Sequence, residues 1–155
     1  MICTCICEFE IYKGERYWIA IPLGMEGATQ GLTREDAIES AAEWLREEVE
    51  FAAIYGRELP SPELGLPLQH DGERVVVSVS AGRETVEKVT AAEAARILGV
   101  SRPRITQMLK SAKLVGWQEG NSTYVTRDSV IARLENPLPI GGRPKKHAAP
   151  IAAAL

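Results

Sequence analysis

The sequence predicts an α+β chain in two parts, an N-terminal ββαβ domain followed by a C-terminal winged helix-turn-helix. Three observations carry this prediction. Apolar residues alternate over 2–12, the two-residue period of a half-buried strand. Ile38, Ala41, Ala42, Leu45, Val49 and Ala52 then recur at helical spacing, so one helix face is buried. Residues 90–110 hold two short capped helices joined at Gly99.

Composition sets the frame. The chain has 155 residues, 45% hydrophobic and 25% charged, which suits globular domains. No apolar run reaches the ~18 residues of a membrane span. The opening Met1–Glu8 has no basic stretch and meets an acid early, unlike a secretory signal, so a cytoplasmic protein is expected. Cys3, Cys5 and Cys7 share one strand face, which argues against a disulfide framework. No fourth metal ligand is evident, since His70 and His147 lie far off in sequence, so packing is the expected role and no metal or cofactor is predicted. Charge divides sharply. Residues 1–86 hold 7 Lys and Arg against 16 Asp and Glu, a balance of −9, and residues 87–155 hold 11 against 5, a balance of +6. Such a division points to different partners for the two halves. The basic half suits a phosphate backbone, and the acidic half suits a basic protein or solubility alone.

In the N-terminal half, Cys3, Cys5, Cys7, Phe9 and Ile11 face one way, with Glu8 and Glu10 on the other side. Lys13-Gly14-Glu15 predicts a turn, and Arg16 to Ile21 a second strand ended by Pro22. Residues 22–31 are glycine-rich and read as a loop. Thr33 caps the helix, with Asp36 in the capping-box position, and Gly56 ends it. A loop leads to a third strand over Arg74–Ser80, with Val75, Val77 and Val79 inward. One helix on one face of a short antiparallel sheet leaves the outer face for something to cover, most simply a second copy of the chain. The acids on the helix read as a solvated face. There is no nucleophile–base pair, no phosphate-cradling motif and no second strand offering an acid to Glu8 and Glu10, so no catalytic residue and no enzyme activity are predicted.

The segments Tyr17–Pro22, Gly27-Ala28-Thr29-Gln30-Gly31, Thr33-Arg34-Glu35-Asp36-Ala37 and Leu59-Pro60-Ser61-Pro62 together resemble the HicB-like antitoxin domain, over about residues 9–80. That resemblance implies a degenerate ribonuclease H-like fold without catalytic carboxylates. It also implies a partner, a small basic HicA-like toxin ribonuclease whose active site the domain blocks.

Residues 81–89 are polar and read as a linker, setting expected domains at 1–80 and 90–135. Thr90 with Glu93 forms a capping box. Ala94 and Ala95 allow a close helix crossing, Gly99 ends the first helix, Ser101 caps the second and Pro103 fits its first turn. Leu98, Val100, Ile105, Met108 and Leu109 are the expected core. Arg102, Thr106, Gln107 and Lys110 then face outward with Arg104 at their flank, all donors for phosphates and base edges. Leu114–Gln118 and Ser122–Val125 read as a wing turning at Gly120-Asn121, and Thr126 caps a last helix over Arg127–Leu134. Across 89–134 the pattern resembles the excisionase and MerR-type winged helix-turn-helix. That resemblance implies a second helix in the major groove of double-stranded DNA and a wing on the backbone. A homodimer or higher homo-oligomer is expected, because paired half-sites need two recognition helices. The expected DNA-binding residues are Ser101, Arg102, Arg104, Thr106, Gln107, Lys110, Lys113 and Asn121. Residues 136–155 read as a disordered basic tail, and Gly141–Lys146 resembles an AT-hook core. Two functions follow as expectations: an antitoxin that represses its own promoter, or a DNA-binding regulator whose N-terminal domain dimerises or senses a ligand.

Overall fold

The computed structural model describes residues 1–138 and divides into two compact units, Met1–Thr85 and the chain from Val86 onward. The expected AT-hook-like segment lies outside the described residues, as does the expected tail beyond Leu138. Among the described residues, no helix is long and apolar enough to cross a membrane.

The first unit is α+β. Strands β1 (Cys3–Lys13), β2 (Trp18–Pro22), β3 (Thr29–Gly31) and β4 (Glu73–Ala81) form one sheet in the order β3-β2-β1-β4, every ladder antiparallel. Helix α1 (Arg34–Tyr55) packs on one face. Its buried residues, Ala37, Ala41, Leu45, Val49 and Ala52, meet Cys5, Cys7, Phe9, Ile11, Val77 and Val79 from the sheet. Thr33 caps α1 by accepting the Asp36 N–H, and Gly56 ends it with φ 62°. Burial raises the Cys5 thiol and pushes that of Cys7 up to about 11, as befits packing groups.

Three features depart from the sequence pattern. The second strand starts at Trp18 instead of Arg16, because Gly14 N–H donates to the Tyr17 carbonyl at 2.8 Å and closes a longer turn. Thr29–Gly31, expected as loop, pairs with β2 as a short edge strand. Gly31 fits there because its Cα approaches the first turn of α1: a Cβ would lie 2.4 Å from the Ala37 nitrogen.

The third departure concerns the outer sheet face, expected to await a second copy. The segment between α1 and β4 covers part of it. Glu8 and Glu10 are only 6% and 1% exposed. Glu10 accepts the backbone N–H groups of Gln69 (2.8 Å), His70 (2.8 Å) and Gly72 (3.0 Å). Glu8 accepts the Gly65 N–H and, at 3.0 Å, the Arg74 guanidinium. The His70 ring stacks on Tyr12 with centroids 4.3 Å apart. Burial alone would raise the Glu10 pKa, but the converging N–H dipoles outweigh it and hold the group at about 2. The Gly65 N–H leads in lowering Glu8, with Arg74 adding to it against the opposing effect of burial.

The second unit has a sheet of β5 (Lys88–Thr90), β7 (Ser122–Thr126) and β6 (Gly116–Glu119), in the order β5-β7-β6, with helices α2 (Ala91–Leu98), α3 (Arg102–Lys110) and α4 (Arg127–Glu135). Its core gathers Ala91, Ala94, Ala95, Ile97, Ile105, Met108, Leu114, Val125 and Val130. Lys88–Thr90, read from sequence as the linker's end and the helix cap, is a strand pairing with Tyr124–Thr126. Ala81, at the other end of that stretch, is the buried last residue of β4.

Candidate nucleic-acid interface

The arrangement around α3 begins with local chemistry. The Thr90 hydroxyl accepts the Glu93 N–H, while the Glu93 carboxylate accepts the Thr90 N–H at 3.0 Å, a complete capping box that starts α2. Gly99, at φ 65°, ends α2 by donating its N–H to the carbonyls of Ala95 and Arg96. Val100 and Ser101 make the turn, and the Ser101 hydroxyl accepts the Arg104 N–H to open α3 with Pro103 in its first turn.

Core packing then fixes the rotation of α3. Ile105 is fully buried, Met108 nearly so and Leu109 half-buried, at spacings of three and four residues. The other side therefore faces water: Arg102, Thr106, Gln107 and Lys110 are exposed, and Arg104 is half-buried at the flank. Arg104 donates to the Gln107 side-chain oxygen at 3.4 Å. The guanidinium of Arg102 and the ammonium of Lys110 make no ion pair among the described residues. Such a face offers hydrogen-bond donors at the width of one helix, which the major groove admits.

Two further predicted residues lie on other elements. Lys113 is exposed in the connection after α3, where its carbonyl accepts the Arg133 Nε at 2.7 Å. Asn121 is exposed in the β6–β7 turn beside Gly120, whose φ is 60°. Ser101 serves first as the cap of α3, with its side chain engaged in that role.

Sequence reasoning missed Lys88. On β5, its ammonium lies 5.6 Å from the Trp117 ring centroid and 5.3 Å from that of Tyr124. An exposed cation is thereby held on the wing sheet, suited to a phosphate. Only the short alternation Lys88-Val89-Thr90 signals it, and three residues are too few to announce a strand.

Of the 11 cations of residues 87–155, Arg143, Lys145 and Lys146 fall outside the described residues. Among the described residues, no group of three or more His, Cys, Asp or Glu side chains is arranged to hold a metal ion. The carboxylates of Glu8 and Glu10 are committed to the segment that covers them.

Residues 89–137 match the family model of a helix-turn-helix domain. The match spans α2, α3, the β6–β7 wing and α4. No curated protein and no solved structure matches the chain.

Proposed function

We propose that this protein is a DNA-binding transcriptional regulator whose α3 reads the major groove of double-stranded DNA. One observation carries the reading: the side of α3 opposite Ile105 and Met108 presents Arg102, Thr106, Gln107 and Lys110 to solvent within a domain matched as helix-turn-helix. In this reading Arg102 and Gln107 contact base edges, while Lys110, Lys113, Asn121 and Lys88 contact phosphates. The chain binds as a homodimer, so that two α3 helices meet half-sites about one helical turn (~34 Å) apart. It works in the cytoplasm, and it is not an enzyme.

For the first unit the proposed role is that of an antitoxin, with a degenerate ribonuclease H-like, HicB-like fold that neutralises a small basic HicA-like toxin ribonuclease. What supports this is the motif series of residues 9–80 together with the −9 balance of residues 1–86. Exposed Glu39, Glu43 and Glu47 on α1 offer a basic partner its first electrostatic contact. If this unit instead serves only dimerisation or ligand sensing, the DNA-binding role of α3 stands unchanged.

Mobility-shift titrations on the chain's own promoter and on random duplex test the first proposal. Arg102→Ala and Gln107→Ala should each weaken specific binding by about 1–3 kcal/mol, whereas Lys110→Ala should weaken both duplexes alike. Unchanged binding in all three variants refutes the α3 assignment. For the second, the purified chain is titrated against the product of the neighbouring reading frame, if small and basic, with ribonuclease activity as readout. Undiminished cleavage refutes the antitoxin role.

A further inference from the structure

β4 lies at one edge of the four-stranded sheet. It pairs with β1 through nine consecutive residues without a bulge, from Ile11↔Glu73 to Cys3↔Ala81, and no strand lies on its other side among the described residues. Folded proteins usually blunt such an edge with shortness, charge, proline or a bulge. The opposite edge is blunted in this way, because β3 has three residues. β4 is not: after Glu73 and Arg74 it reads Val-Val-Val-Ser-Val-Ser-Ala, without charge, proline or glycine. Beside it the outer sheet face exposes two large apolar side chains, Val76 at 62% and Ile6 at 46%, among the small polar Thr4, Ser78 and Ser80. The segment that buries Glu8 and Glu10 leaves Val76 and Ile6 uncovered.

We infer that β4 is the self-association surface of this protein, pairing antiparallel with β4 of a second copy about a two-fold axis through Val77. The strand's own sequence argues for this occupant. With the axis at Val77 all nine residues pair, Glu73 meets Ala81, Arg74 meets Ser80, Val75 meets Val79 and Val76 meets Ser78. No like charges stand opposite one another, and each inward valine meets an inward valine. An axis at Val76 or Ser78 pairs seven residues, and one at Val75 or Val79 only five. Backbone hydrogen bonds along the edge join the two sheets into one of eight strands, and the interface is isologous. This surface deepens the reading of a dimeric regulator, since a two-fold pair of chains is what paired half-sites require.

Sedimentation of the full chain without DNA tests the inference. The wild-type chain should be a dimer at micromolar concentration. Val76→Lys combined with Ser78→Lys places lysine opposite lysine twice on the exposed face and should weaken association tenfold or more, with an unchanged circular dichroism spectrum. Mixing this double variant with the single variant Ser78→Glu should restore a one-to-one dimer, because the lysine introduced in place of Val76 then faces the glutamate introduced in place of Ser78 on the other copy. Amides of residues 73–81 that point away from β1 should also exchange more slowly as concentration rises. A monomeric wild type with unprotected β4 amides overturns the inference, an outcome that includes β4 accepting a strand from another protein. So does a lysine variant that dimerises as well as wild type. Failure of the α3 substitutions to alter DNA binding would leave all these results unaffected, so the two readings can fail separately.

Discussion

Glu10 shows how one residue can organise a segment distant in sequence. Its carboxylate gathers three backbone N–H groups from Gln69, His70 and Gly72, about sixty residues away, and a buried acid is tolerated because those donors replace water. The sign of the pH dependence follows. Glu10 has its pKa lowered from 4.5 to about 2 in the folded chain, so the unfolded chain takes up the proton first as pH falls. Its contribution is complete above about pH 4.5 and is lost as pH falls toward 2. Glu8 and Glu73 shift in the same direction. Glu10→Gln should therefore lower the denaturant midpoint of the first unit at pH 6 and flatten its decline between pH 4.5 and 2. An identical acid profile in the variant would show that the carboxylate does not anchor the segment. At Ala112, φ is 56°, a left-handed conformation that a side chain strains. Ala112→Gly should stabilise the second unit by up to about 1 kcal/mol in urea unfolding, offset in part by the added freedom of glycine in the unfolded chain.

Among the elements, helices were legible where caps and periodicity agree. Thr33 and Gly56 bound α1, and Thr90, Gly99 and Ser101 bound α2 and α3, because capping is satisfied by neighbours in sequence. Thr90→Ala should cost about 1 kcal/mol of stability, measured by thermal unfolding of the second unit, since it removes one half of the capping box. Short strands were less legible. Thr29–Gly31 and Lys88–Thr90 exist as strands because β2 and β7 supply their hydrogen bonds, and three residues carry no period of their own. The predicted DNA-facing residues of α3 could be chosen because the helical period separates them from Ile105 and Met108. Lys88 could not, because its place depends on pairing with a strand more than thirty residues later.

For the molecule as a whole, the two units have separate cores with no residue in common. Expressed separately, residues 1–85 and 86–138 should each give a cooperative thermal transition, and a non-cooperative melt of either piece would show that it depends on the other. The charge division makes a matching prediction. Binding to random duplex should fall steeply with salt and should survive in the 86–138 fragment, since the cations suited to phosphates, Lys88, Lys110 and Lys113 among them, belong to that unit. By itself the sequence determined the two-part α+β organisation, the capped helices, the alternating core of β1 and the exposed donors of α3. Each of these is set by residues within a few turns or one strand of each other, so periodicity and capping suffice. Only the tertiary structure decided that the α1–β4 segment folds over Glu8 and Glu10, that Lys88–Thr90 joins the wing sheet, and that β4 is left at an edge. Those outcomes depend on which distant backbone groups find hydrogen-bond partners, and sequence spacing does not encode that choice.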